Sequence, residues 1–190
     1  MVSTDELKNL SLQILNKRLE IEKLKKEAKK GNISKSERNQ INAKIKKLEK
    51  QEIPSIYEKF MEKLIKFVDK TEFSDLELEK FIEPEGYAEA IAIGIKFKRT
   101  QLRKFFAEVK SIYEKQKHKE KEIDRVKITG LIPKLAYSRA RDLIDEQFFQ
   151  FMKLLLNKVR ISKEKEYYEK FIEIFEAIVA YHHYYHPKED

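Results

Sequence analysis

Arg99, Arg103, Phe105, Phe106, Lys110 and Tyr113 follow one another at helical spacing, with Lys96 one turn earlier and Lys104 beside them. A guanidinium is a planar fork that bonds two phosphate oxygens at once. A second row, Lys134, Tyr137 and Arg141, shares one face of a later helix, and Arg139 leans toward that helix's apolar side. The charge is concentrated here. Residues 96–141 hold 15 Lys/Arg against 5 Asp/Glu, while the rest of the chain holds 26 against 28, which together give the net +8. Such a stripe attracts polyanions. Two adjacent helices presenting these rows form a positive groove suited to a nucleic-acid backbone rather than to a small acidic substrate. The candidate contacts are Arg99, Arg103, Lys104, Lys110, Lys134, Arg139 and Arg141.

Other chemistry is sparsely encoded. With no cysteine, the chain has no disulfide, thiolate nucleophile or thiolate-bound zinc. It lacks a phosphate-cradling glycine loop and a His-Glu-x-x-His zinc helix. No arginine is followed five positions later by histidine, which excludes the helical ribonucleases built on that pair. Carboxylates alternate with lysines, the pattern of a solvated face. His182 and His186 stand one turn apart with His183 beside them, a spacing that can hold a metal. A third ligand on that face is missing unless folding brings in His118 or a carboxylate. His182 also lies on an apolar stripe, where a packed histidine is the ordinary explanation. The expectation is a protein without catalytic residues, metal or cofactor.

The elements that position the basic rows read as helices. Glycine and proline number four each, too few for an all-β chain. Residues 4–30 form one helix capped by Thr4, with Leu7, Leu10, Ile14, Ile21, Leu24 and Ala28 at heptad spacing broken by Lys17. Ser34 and Glu37 make a capping box for a second helix carrying Ile41, Ile45 and Leu48. The seam between these two is thin, so residues 1–52 read as a charged hairpin arm, with Pro54 marking the passage to a bundle over 53–190. In the bundle, Ile56, Phe60, Leu64, Phe67 and Val68 face a core. Ser74 starts a short helix, Pro84 another, and Thr100 caps the helix of the first basic row. Gly94, inside a helix, costs about 1 kcal/mol relative to alanine, which a close helix–helix or helix–ligand approach would justify. Residues 114–127 are nearly all charged and read as a solvated helix end and mobile loop. The apolar run Phe148 to Leu156 and the stripe Tyr168 to His182 complete an all-α bundle of about five to six core helices.

Three segments resemble a known family. Thr100-Gln101-Leu102-Arg103-Lys104-Phe105-Phe106, Leu131 through Arg141 (LIPKLAYSRAR) and Phe175 through His182 (FEAIVAYH) are similar, in order and spacing, to motifs of the small all-helical subunit of the type III-A CRISPR effector, the Csm complex. The resemblance covers roughly residues 75–186. It implies a helical bundle without enzymatic activity, whose copies line the path of guide RNA and target RNA and touch RNA backbone largely without reading sequence. It further implies antiviral defence within a ribonucleoprotein, with the other Csm subunits as partners. Arg103 matches the arginine of the first motif, and Lys134 and Arg141 the basic positions of the second. Tyr137 and Tyr181 match tyrosines that pack or support. The hairpin of residues 4–52 is longer than the family leads one to expect.

Composition adds that no apolar run approaches the ~20 residues of a membrane span and that the N-terminus lacks signal-peptide form, so a soluble cytoplasmic protein is expected. Abundant Lys, Glu and Ile without Cys or Trp fits a thermophile. Self-association through the heptad leucines or the aromatic C-terminal helix is a further expectation. The alternative reading is a protein–protein adaptor working through the hairpin.

Overall fold

The computed structural model describes residues 3–30, 32–116, 124–162 and 164–187. It is an all-α bundle. In chain order the helices are α1 (Thr4–Ala28), α2 (Lys35–Lys47), α3 (Ile53–Lys70), α4 (Glu79–Ile82), α5 (Tyr87–Gly94), α6 (Arg99–Gln116), α7 (Arg125–Thr129), α8 (Leu131–Ala140), α9 (Glu146–Ser162) and α10 (Lys165–Tyr185). No helix among the described residues is long and apolar enough to cross a membrane.

α1 is capped by Ser3, one residue ahead of Thr4, whose side chain accepts from the Asp5 N–H. The Ser34–Glu37 capping box forms as expected, each side chain bonding the other residue's amide. Pro54 does not interrupt the chain's course. α2 and α3 are one continuous helix joined by a π-turn at Leu48–Glu52, and the Ile53 N–H reaches back five residues to the Leu48 carbonyl. A proline in an α-helix collides with the carbonyl four residues earlier, and the wider π-turn relieves that collision. The turn also realigns the apolar face. Leu48 and Ile53 are both buried although five residues apart, a spacing that an α-helix would splay to different sides.

The hairpin of residues 1–52 is therefore not a detached arm. Its second helix runs on into the body, and its first helix packs against α3 and α5. Leu7, Ile14 and Ile21 are fully buried in the same apolar cluster as Phe60, Leu64 and Phe175. Ser11, a polar residue on that face, is buried too and bonds the carbonyls of Glu85 (3.0 Å) and Gly86 (3.2 Å). Arg18 donates to the Tyr185 carbonyl at 2.6 Å and lies over the Tyr185 ring. The Tyr185 hydroxyl in turn bonds the buried carboxylate of Glu89. This buried polar chain links α1, α5 and α10, and each of its groups needs the others because an unpaired polar atom in a core is costly.

α5 begins at Tyr87 rather than at Pro84. Glu85 has φ 64°, a left-handed conformation that no helix continues through. A Cβ on Gly86 would come within 2.9 Å or less of three backbone carbonyl oxygens, which fixes glycine in this turn. Gly94 meets its expected close neighbour, for a Cβ there would lie 2.2 Å from the Tyr57 ring. α10 packs along α5 and α6, α9 packs on α3, and α8 rests on α9.

Candidate nucleic-acid interface

α6 starts at Arg99, one residue before the expected cap Thr100. The Lys98 carbonyl accepts from both Gln101 and Leu102 N–H and so opens the helix. Leu102, Phe105 and Val109 turn inward, and Phe105 and Phe106 both meet Phe175 of α10, at 5.8 and 5.3 Å between ring centroids. Farther along, the Tyr168 hydroxyl donates to the Val109 carbonyl at 2.8 Å, and Tyr113 bonds Glu169. That second bond, ahead of desolvation, pushes the Tyr113 hydroxyl's pKa up to about 12. These contacts fix α6 in rotation, and with it the direction of each basic side chain.

α8 presents its row on the other side. Leu131 and Leu135 are buried, and the helix ends with Arg141 as its C-cap. The next turn is set by Asp142 in a left-handed conformation (φ 52°) and by Asp145, which caps α9 through the Phe148 N–H at 2.8 Å and also accepts the Lys96 N–H at 3.1 Å. Burial raises the Asp145 carboxyl pKa against the pull of these bonds. Asp145 thereby ties the loop before α6 to the start of α9, a role foreshadowed only by an aspartate three residues ahead of Phe148.

Between α6 and α8 lies an open cleft of about 340 Å³. α6 contributes Gln101, Lys104, Phe105 and Glu108; α8 contributes Pro133, Lys134, Tyr137 and Ser138. The Lys134 ammonium sits on the Glu108 carboxylate across it. At its end, the Arg141 guanidinium lies 5.4 Å from the Tyr137 ring centre, with Nη1 3.4 Å from the hydroxyl. Of the candidate residues the cleft lining holds Lys104, Lys134 and Tyr137, with Arg141 against Tyr137; Arg99, Arg103 and Lys110 of the first row do not line it.

The other candidates divide. Arg103 is exposed and, like Lys104, has no hydrogen bond or ion pair among the described residues. Arg99 turns toward the chain's end and donates to the Pro187 carbonyl at 2.9 Å. Lys110 reaches Glu176 of α10 at 3.4 Å and lies over the Phe106 ring. Arg139, half-buried as its lean suggests, bonds Glu146 and Asp142, each at 2.9 Å. The Glu146 bond, then the Asp142 bond, raises its pKa. These three serve α6–α10 and α8–α9 contacts, through partners distant in sequence or hidden in a turn. Glu108, Gln101 and Ser138 are cleft residues that the basic pattern did not single out; they stand one turn from Lys104 or Lys134 on the same faces.

His182 is fully buried, and its ring stacks on that of His186 at 4.6 Å. Burial, then the neighbouring His186, lowers its pKa to about 4. His186 Nε2 lies 3.2 Å from the Ala92 carbonyl. Among the described residues no group of three or more His, Asp or Glu side chains is placed to hold a metal. His118 and half of the charged segment, residues 117–123, lie outside the described residues.

Comparison with known proteins agrees with the motifs. The family model described as Csm2 Type III-A matches residues 83–188, more than half of the chain and all of α6 through α10. No curated protein and no solved structure gives a significant match.

Proposed function

The chain belongs to the Csm2 Type III-A family, a subunit of the type III-A CRISPR effector, and on that footing we propose that it is a non-catalytic subunit whose α6–α8 face follows RNA backbone along the guide and target path. One observation carries the reading. Arg103 and Lys104 are exposed and unpaired among the described residues; Lys104 lines the cleft opposite Lys134 of α8, and Arg141 stands exposed at the end of α8. On this reading the four cations meet RNA phosphates, and the helices that carry them position them more firmly than a loop would. Lys134 keeps Glu108 as an exposed partner, which a phosphate can displace at small cost because exposed ion pairs are weak. The contacts are to charge rather than to base edges, so binding tolerates any sequence and weakens steeply with salt as counterions are released.

The test is the affinity of the full chain for a labelled single-stranded RNA across a salt series, with duplex DNA as control. Replacing Arg103 and Arg141 by alanine lowers affinity by at least about tenfold and reduces the salt slope by roughly one per lost phosphate contact. A folded double variant with the wild-type affinity and slope would remove this face from the RNA path.

A further inference from the structure

Tyr137 is the exposed aromatic residue of the cleft, and neither the core nor an ion pair explains it. Its motif position leads one to expect packing, yet 63% of it is exposed, and it forms a wall above the buried Phe105 and beside Pro133. The Arg141 guanidinium lies over the ring, 5.4 Å from its centre with Nη1 3.4 Å from the hydroxyl, and Tyr137 still lines the cleft. From this we infer that the α6–α8 cleft seats one unstacked nucleotide of a single-stranded RNA segment, its base against Tyr137 and its phosphate at the rim between Lys104 and Arg141.

The inference rests on the RNA reading above and adds a base contact to it. Charge sets the orientation. Lys134 and Glu108, both partly exposed, neutralise each other across the cleft, while Lys104 in its lining and Arg141 beside Tyr137 have no carboxylate partner among the described residues. A neutral ring is favoured beside the neutralised pair and an anion beside the unanswered cations. Size agrees, for about 340 Å³ lies at the small end of ligand clefts and has room for one nucleotide rather than a helix groove. Gln101 and Ser138 supply donors and acceptors at the wall, which any base edge or ribose can use. Stacking on an aromatic face is tolerant of sequence because every base has a π-face. Duplex RNA cannot fill this seat without unpairing, so the cleft distinguishes strand state rather than sequence.

The experiment compares the full-length wild type with Tyr137→Ala, Tyr137→Phe and Arg103→Ala on a 5-iodouracil-labelled RNA, single-stranded and duplex, with affinities over a salt series and photo-crosslinks mapped by peptide. The expected result is a crosslink to Tyr137 with single-stranded RNA only. Tyr137→Ala raises the single-strand Kd at least about fivefold with an unchanged salt slope, and Tyr137→Phe restores it. Arg103→Ala lowers the slope instead. A wild-type Kd in Tyr137→Ala, with Arg103→Ala weakened, overturns the base seat and leaves the backbone reading standing. No RNA binding by wild type at low salt overturns both. A Tyr137→Ala defect confined to assembly with other subunits, with RNA affinity intact, assigns the ring to a protein interface and also overturns the seat.

Discussion

Two regions of this molecule are dense in lysine and behave differently. Residues 1–52 hold 14 Lys/Arg against 8 Asp/Glu and not one aromatic residue. There, lysines along the α1–α2 seam are answered by carboxylates: Lys17 by Glu52 (2.9 Å), Lys25 by Glu49 (2.7 Å) and Lys44 by Glu20 (2.8 Å). The hydrogen bond between Lys17 and Glu52 raises the lysine's pKa and lowers the glutamate's. On α6 and α8 the cations stand among Phe105, Tyr137 and Pro133, and Arg103 and Lys104 have no partner among the described residues. A surplus of charge by itself creates a diffuse attraction. Held cations left unanswered beside apolar surface create a place to bind.

The largest effect that tests this contrast is Ile14→Ala. If the hairpin's value lies in its packing, emptying this fully buried site costs about 2–5 kcal/mol of folding stability. Urea unfolding reads the loss, while RNA affinity of the folded protein stays at the wild-type level. A change below about 0.5 kcal/mol would return α1 to the status of a loose arm.

A pH series separates the two regions from the core. His182 has its folded pKa depressed to about 4, below the ordinary 6.5. The unfolded chain therefore binds the extra proton between those values, and stability rises with pH across that window. It is fully present above about pH 6.5 and is lost as pH falls toward 4, an effect of order 3 kcal/mol. Melting curves on wild type and His182→Phe should show the slope in the first and a flatter dependence in the second.

The Arg103→Ala, Arg141→Ala double variant is expected to lose RNA affinity with a melting temperature within about 2 °C of wild type, because both side chains are exposed. The smallest effect belongs to Lys17→Met. Exposed pairs contribute little, so its melting temperature should move by at most about 3 °C and its RNA affinity by less than twofold. A larger drop in affinity would make the seam lysines part of the binding surface and erase the contrast.

What was legible in the sequence was local. The capping box of Ser34 and Glu37, the inward stripe of α6 and the close neighbour of Gly94 follow from residues within a turn or two or from glycine's missing side chain. The engagement of α1 was not legible. Its face looks too thin when counted in leucines, but Ser11 belongs to it through carbonyls supplied some 74 residues later. Of the candidate contacts, the exposure of Arg103, Lys104, Lys134 and Arg141 follows from charged types on the polar faces of their helices. The diversion of Arg99 to Pro187 and of Lys110 to Glu176 was not legible, since it depends on how α10 lies against α6. The exposure of Tyr137 was also hidden, because a tyrosine at helical spacing has the same pattern whether its neighbour helix closes over it or stands off.

The π-turn ahead of Pro54 has an evolutionary consequence. It is what a helix looks like after taking in one surplus residue without losing its seam. Deleting Lys50 alone would restore an α-helix and press Pro54 against the carbonyl four positions before it, at about 3 kcal/mol. Replacing Pro54 by alanine alone would leave a widened turn with nothing to accommodate. The two changes are worth more together than their sum, so the extra residue and the proline form an epistatic pair, and lineages should gain or shed them jointly.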